Sequence, residues 1–458
     1  MGTTYSNISD LTSSLKKLMG VREKVLSKAI LESYVDRHLD KRNVLMESAS
    51  RFGTPQYFFD EPSLSFRITA FKEVFAQHFE RYRLFYAMKS NPFEGLCRKV
   101  VDKGMGLDVS SGFELARALG TGCSEIIFSG PGKTREELRL AYKNRSKVTL
   151  LMDSFGEFQR IAELLEEKGN DKGPLKLGVR VRSHQHGIWN KFGIPLKDLC
   201  SMIKKAVSLK RAQFRGIQFH TSWNLDPGAQ INMIKEIGSY LASHVPKPLY
   251  RYLKFFDMGG GFWPEQGEWL NPQHTLKGKL IEILDPGHRF SLRHYHQKAF
   301  TLDHFAKEIA SVVSKQASPL CNLEIWAEPG RWISTPAMHI LLEVVDKKDS
   351  RTVITDGGIN LLGWERPLTE FIPVINLTRP SRIEKPQRIF GSLCTPHDVW
   401  GTSIFGDGIE VGDILLIPDQ GAYTYSLRQS FIKPKAKVVR FDGDSLEIAE
   451  KEESFSFQ

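Results

Sequence analysis

The alternation of apolar and polar positions changes character twice along the chain. Over residues 11–50, apolar side chains fall at three- and four-residue steps, which predicts polar-faced helices. From about residue 56 to 330, short apolar runs alternate with amphipathic stretches. The runs "YFFD", "RLFYAMK", "GLDVS", "EIIFSG", "VTLLMDS", "KLGVRVR", "FRGIQFH", "LKFFDMGG" and "LEIWAEPG" read as strands. Stretches such as "SGFELARALG", "TREELRLAYKN" and "FGEFQRIAELLEEKG" read as helices between them. Strand and helix alternate about eight times, the pattern of parallel strands joined by crossover helices. Such a count predicts an α/β fold, a (β/α)8 barrel of the TIM type, with a doubly wound open sheet as the alternative. After about residue 335 the helical period is lost. "AMHILLEVVDKKDSRTVITDGG" and "KAKVVRFDGDSLEIAEKEE" are strand-like with turn signals, an all-β pattern. The expected organisation is an N-terminal helical extension over 1–55, a barrel over 56–335 and a C-terminal all-β domain over 336–458.

Composition narrows the class without changing it. The chain has 458 residues, 41% hydrophobic and 25% charged, as expected of a globular protein with ample core. Lys and Arg number 63 against 53 Asp and Glu, a formal net charge of +10. The excess is scattered and accompanies no nucleic-acid signature, so no nucleic-acid partner is expected. No apolar run approaches the roughly 20 residues that span a bilayer, so no membrane partner is expected either. Five cysteines with no CxxC pair fit a reduced, cytoplasmic protein without a zinc site.

Polar and glycine motifs recur where the predicted strands end, which in a barrel is the catalytic face. In order they are "YAMKSN", "LDVSSGFEL", "FSGPGKT", "FHTSWN", "FDMGGGF" and "AEPGR". Each has a plain structural reading. Lys89 is either a solvated lysine or a desolvated amine of lowered pKa suited to Schiff-base chemistry. The Gly259–Gly261 run is either a flexible turn or a loop whose N–H groups approach a phosphate. Glu328 and Arg331 form either a surface ion pair or a carboxylate and a guanidinium for a ligand. His220 is either a satisfied core histidine or a ring stacked on a flat cofactor. As a set they ask for a flat, phosphorylated aldehyde whose ring nitrogen a carboxylate keeps protonated. Pyridoxal 5′-phosphate fits that description.

On these motifs the sequence resembles the fold-type III pyridoxal-phosphate decarboxylases, which include diaminopimelate, ornithine and biosynthetic arginine decarboxylases, with alanine racemase as a relative. The resemblance runs from about residue 50 to 433 with the motif order unbroken. It implies that Lys89 carries the cofactor and that Asp108 and Glu114 lie near it. It places His220 on the pyridine ring, Gly260 and Gly261 at the phosphate, and Glu328 at the ring nitrogen. Gly330 and Arg331 of "EPGR" are implied to meet phosphate or substrate, and Tyr423 to lie near the phosphate. Arg366 resembles the arginine that meets the substrate carboxylate. Cys394 resembles a proton-donating or positioning thiol given by a partner subunit, with Asp398, its neighbour in "GSLCTPHDVWG", a candidate substrate contact. A head-to-tail homodimer with shared active sites follows from the same resemblance.

The departures concern substrate. The acid that follows the cysteine in these enzymes meets the substrate's distal amine; here that position is Thr395, a weaker partner for an ammonium. Glu370 replaces the usual tyrosine after the "RP" arginine and is either a compensating charge or a turn residue. The family "HVGS" stretch reads "HTSW", with Ser222 one place early and Trp223 in the serine position. "LCTPxDV" and "SGPGKTREEL" look closer to the branch acting on amino-acid conjugates, such as siderophore- or antibiotic-pathway intermediates. An acidic carrier protein is a further candidate partner on the same ground. The expected activity is decarboxylation of an amino acid or its conjugate. Racemisation on the same cofactor, or an inactive homologue that regulates a decarboxylase, are the alternatives.

Overall fold

The computed structural model describes residues 12–13, 15–16, 24–167, 173–182, 190–288, 290–317, 319–363 and 370–454. Its centre is a closed ring of parallel strands. In chain order they are Tyr82–Ala87, Gly106–Val109, Ile126–Phe128, Val148–Met152, Leu175–Arg182, Ala212–Gln218, Phe255–Asp257 and Glu324–Ala327. Each pairs with the next, and the last returns to the first through Ile325↔Tyr82. The (β/α)8 expectation is borne out and the open sheet is not. Strands covered by helices outside and side chains inside are buried on both faces, which is why they read as continuous apolar runs. Val148–Met152 is buried at every position.

The helices between them start where capping residues allow. Thr134 and Glu137 make a reciprocal capping box ahead of helix Arg135–Lys143. Ser111 accepts the Glu114 N–H ahead of helix Gly112–Gly120. Phe85, Ile127, Leu151, Phe255 and Trp326 fill the barrel interior. Phe255 stacks on Trp326 with ring centroids 3.7 Å apart. Gly178 and Gly216 make room for the Phe255 ring; a Cβ at Gly216 would lie 2.5 Å from it. With the floor plugged by aromatics, polar side chains collect at the opposite end.

The second sheet is β-rich and mostly C-terminal, as the sequence pattern indicates, with one correction. The "YFFD" run, expected among the barrel strands, lies in this sheet. Strand Gln56–Asp60 pairs antiparallel with Met338–Asp349 through Tyr57↔Ile340 and parallel with Lys437–Phe441 through Tyr57↔Val438. All five of its residues are buried. Tyr57 and Phe59 join the main core, while Phe58 faces the core under the N-terminal helices. A strand sandwiched in this way carries the same unbroken apolar run as a barrel strand, so periodicity alone cannot assign it. Asp60 then caps helix Glu61–His78, accepting the Ser63 N–H at 2.9 Å, and the chain enters the barrel.

The N-terminal helices Lys28–Leu39 and Arg42–Phe52 pack on the outer face of that sheet through Leu31, Val35, Leu45 and Ala49. A further addition follows the seventh barrel strand. Glu268–Leu270 pairs antiparallel with Tyr295–Gln297, and helix Leu276–Leu284 lies between them in sequence.

Candidate active site

Lys89 sits in a 3-10 turn, Met88–Ser90, directly after the first barrel strand. Its Nζ lies 3.2 Å from Asp108 Oδ2 at the end of the second strand. Ser129, after the third strand, donates its hydroxyl to Asp108 Oδ1 at 2.6 Å. Burial works to lower the Lys89 pKa, but the Asp108 and Glu328 carboxylates outweigh it and hold the amine above its ordinary value. The lowered pKa of the desolvated-amine reading is not found. The resemblance implies Asp108 near the lysine, but not that two carboxylates outweigh burial.

Glu328 follows the eighth strand and is buried. Gln218 Nε2, at the end of the sixth strand, donates to Glu328 Oε1 at 3.1 Å. Burial pushes the Glu328 carboxyl up, whereas the Lys89 and Arg180 charges pull it down. The His220 tautomer follows from its neighbours. The Gly260 N–H donates to Nδ1 at 3.1 Å, so Nδ1 is the acceptor and Nε2 carries the hydrogen toward Ser222 Oγ at 3.2 Å. Glu328 Oε2, 3.4 Å from Nδ1, therefore receives no proton from the ring. That oxygen is buried, as is Asp257 Oδ2. Next to it, Asp257 accepts the Gly259 N–H at 2.9 Å, and burial with the Glu328 charge pushes its carboxyl well above the usual range. The pair is one carboxylate and one neutral acid.

These groups open on a cavity of about 560 Å³ that Lys89, Arg180, His220, Glu328, Arg331 and Tyr423 line, together with Gly261, Gly330 and Glu370. The Arg331 guanidinium lies between two rings, 4.4 Å from the Trp263 centroid and 4.9 Å from that of Tyr423. Tyr423 adopts φ 57°, unusual for a non-glycine residue. Its N–H donates to Ser90 O at 2.7 Å, which ties the β-sheet loop to the turn carrying Lys89. Gly261, at φ +87°, brings backbone to the cavity wall where a Cβ would lie 2.2 Å from Thr221 O. Gly260 stands behind the wall; a Cβ there would meet Glu328 O at 2.5 Å.

Not every expected site residue joins this cavity. Glu114 accepts the Ser110 N–H at 2.7 Å and shapes the loop rather than the lining. Cys394 is exposed and Thr395 half-buried on a loop of the second sheet, and neither lines the cavity of its own chain. Asp398 is corrected as a substrate ligand. It is buried, and its two oxygens accept the Ile359 N–H at 2.7 Å and the Leu393 N–H at 2.6 Å, so it holds the loop. Arg366 lies outside the described residues. Ser222 does reach the cavity, because Trp223 turns through φ 55° beside it.

Sequence reasoning passed over Arg180, Gln218, Asp257, Ser129 and Trp263. A signal existed for three: Gln218 in "GIQFH" and Asp257 in "LKFFDMGG" end their strands, and Arg180 in "KLGVRVR" lies two places before the end of its own, much as Lys89 follows "LFYAM". For Ser129 and Trp263 the signal is only spatial.

The residues suit one group. Lys89 offers an amine, Glu328 a buried carboxylate, and the glycine loop a close backbone approach. This is the site of an enzyme that uses pyridoxal 5′-phosphate. Residues 65–335 match the family described as pyridoxal-dependent decarboxylase, pyridoxal binding domain, and the chain belongs to that family. Diaminopimelate decarboxylase of Bacillus subtilis is 26% identical over 431 residues, 89% of this chain and 91% of that protein. The 2-[(L-alanin-3-ylcarbamoyl)methyl]-2-hydroxybutanedioate decarboxylase of Staphylococcus aureus is 25% identical over 366 residues, 75% of this chain and 84% of that protein. In fold, the crystal structure of diaminopimelate decarboxylase from M. jannaschii superposes with a TM-score of 0.74 at 23% identity, covering 89% of this chain and 92% of that one. The chain is a pyridoxal-phosphate-dependent amino-acid decarboxylase. Among the described residues no helix is long and apolar enough to cross a membrane.

The buried histidines predict an acid-sensitive fold. Burial lowers His220 to about 4 from an ordinary 6.5. It does the same for His339, which faces Asp419, His38, Asp60 and Lys41, again to about 4. A folded-state pKa below the unfolded value means the unfolded chain takes up protons first as pH falls. Stability present above pH 6.5 is then lost progressively toward pH 4, by up to about 3 kcal/mol per histidine. Melting temperature of the cofactor-free protein should fall steadily between pH 7 and 5. A flat profile would show that the folded and unfolded chains take up protons equally over this range, and a rising one that the fold stabilises charged rings.

Proposed function

We propose that this enzyme removes the α-carboxylate of an amino acid bound at Lys89, and that the substrate's side chain does not end in a free ammonium. The observation that carries the site assignment is the buried Glu328 carboxylate, in the same cavity as the Lys89 amine. Lys89 would hold the cofactor's aldehyde end, Glu328 its ring nitrogen, His220 one ring face, and Gly261 and Gly330 the phosphate, with Tyr423 beside it; Gly260, behind the wall, orients His220 instead. Bound pyridoxal phosphate supplies an electron sink for the pair released when the Cα–carboxylate bond breaks.

The chain's own residues do the rest. Glu328 stays ionised and keeps a positive charge at the ring nitrogen favourable. His220 is neutral and presents a flat face without adding charge beside that nitrogen. Asp108 orients Lys89 and, with Glu328, favours a positive charge at its nitrogen. Arg331, braced between Trp263 and Tyr423, is placed to fix a substrate or phosphate oxygen. The aromatic walls exclude water from the reacting carbon.

The remaining assignments rest on resemblance and on placement. Cys394 is exposed and outside its own cavity, which supports donation to the site of a second copy in a head-to-tail homodimer. Thr395 stands where a carboxylate would pair with a distal ammonium, which supports a conjugated substrate over a free diamino acid. The S. aureus relative is named for such a substrate, an alanine joined through a carbamoyl group to a hydroxybutanedioate. Arg366 is retained as a candidate for the substrate carboxylate, and an acidic carrier protein as a candidate partner. Five free cysteines support a cytoplasmic location.

Carbon dioxide release from the cofactor-loaded enzyme tests the reading. A panel of meso-diaminopimelate, ornithine, lysine, arginine and their distally acylated forms should give release from acylated members above the free diamino acids. Release only from a free diamino acid would mean that Glu370 replaces the missing acid. Exchange of the α-hydrogen without carbon dioxide would make the enzyme a racemase.

A further inference from the structure

A second chamber of about 710 Å³ adjoins the Lys89 cavity. The two share Trp223, Trp263 and Glu370, so they meet at one passage. The outer walls come from segments that the barrel pattern does not need: Lys24 of the N-terminal arm, the hairpin strands and the start of helix Leu276–Leu284. Arm and hairpin are built as one piece. His296 N–H donates to Lys24 O at 2.8 Å and Leu26 N–H to His294 O at 2.9 Å.

Charge is ordered along this route. Glu268 and Glu370 stand at the passage; burial and the Glu370 charge push the Glu268 carboxyl up, with Arg331 opposing, so all three are within electrostatic reach. Beyond the acids, Lys24, Lys277 and Lys279 line the outer chamber. The two histidines there, His274 and His296, are held below their ordinary values chiefly by burial and add no fixed charge. A ligand complementary to this order has an α-amino acid at Lys89, a hydrogen-bond donor such as an amide N–H at the two glutamates, and an anion among the lysines. A short diamino acid would end at the passage.

We infer that the second chamber is a distal substrate subsite, which takes a carboxylate- or phosphate-bearing group joined through an amide to the side chain of the amino acid undergoing decarboxylation. This rests on the decarboxylase reading above and deepens it.

The test compares Nε-acetyl-L-lysine, Nε-succinyl-L-lysine and a phosphate-ended counterpart on the cofactor-loaded enzyme, with L-lysine as reference. The anionic amides should exceed the neutral amide in kcat/KM by about tenfold or more, the scale of one well-placed charge contact. The better of the two anions separates a carboxylate source from a phosphate source. A Lys277→Glu/Lys279→Glu enzyme should lose the margin between anionic and neutral amides through KM. Equal use of neutral and anionic amides, or a margin that survives the double substitution, overturns the inference. So does turnover of lysine alone, which leaves the decarboxylase reading intact. If no amino acid is turned over, that reading fails, and the chamber is judged by tryptophan quenching with tricarballylate. Saturable quenching lost in the double variant supports an anion subsite beside Trp223 and Trp263; no saturable quenching, or quenching the variant keeps, overturns it.

Discussion

Replacing Lys89 by alanine should abolish covalent retention of pyridoxal phosphate and lower the decarboxylation rate by on the order of 10³-fold or more, the scale of losing a positioned proton-transfer group together with the covalent anchor. Within the described cavity wall Lys89 is the lysine, and its Nζ stands 3.2 Å from Asp108 and within the field of Glu328. Borohydride reduction of the wild-type protein should fix one cofactor at Lys89, seen by peptide mass; the variant should carry none. Alanine also leaves Asp108 buried against Glu328 without its cation, so Asp108 should protonate and the fold should lose some stability. Lys89→Arg separates the two effects. It keeps a cation beside Asp108 and should melt close to wild type, yet it cannot carry the cofactor and should be as inactive as the alanine variant. Full activity in either variant would remove Lys89 from the centre of the reaction.

The comparison between pattern and structure is instructive where it divides. The barrel was legible because parallel strands and crossover helices leave different periods, and eight of the quoted runs close into the ring. The mouth was legible because chemistry collects where strands end, so Lys89, His220, Glu328 and Arg331 announce themselves by position. Strand Gln56–Asp60 was misplaced because burial on both faces looks the same in a barrel as in a sandwich. Asp398 was misread because a carboxylate that satisfies two backbone N–H groups has the same letter as one that meets a ligand. Gln218 and Asp257 were passed over although they occupy the same kind of strand-end position as Lys89. The direction of the Lys89 pKa depended on how near two carboxylates fold to it, which no local pattern carries. The second chamber was invisible for a similar reason: its walls come from residue 24 and residues 268–297, brought together only by tertiary contact.

The second large effect is expected at Glu328. Glu328→Gln should leave cofactor attached at Lys89 and lower kcat by about 10²- to 10³-fold with a small change in KM, as for loss of one preorganised electrostatic contact in the transition state. The side chain is nearly isosteric, and Gln218 Nε2 can still donate to the oxygen at the Oε1 position, so the fold has little reason to change. What is lost is the charge of the buried carboxylate. A glutamine amide at that place is a donor or a weak acceptor and cannot hold a proton on a ring nitrogen. The electron pair left by the departing carboxylate then has a poorer sink, and the cost appears at the bond-breaking step. Asp257 gives an independent readout. Its neutral state is imposed by burial and by the Glu328 charge. Removing that charge should let Asp257 ionise at lower pH, so the variant's stability should depend on pH differently from wild type around the carboxylate range. Wild-type kcat in Glu328→Gln would mean that the ring nitrogen faces another group. Loss of the borohydride-fixed cofactor would mean that Glu328 acts in binding, and in neither case would the carboxylate be the source of the electron sink.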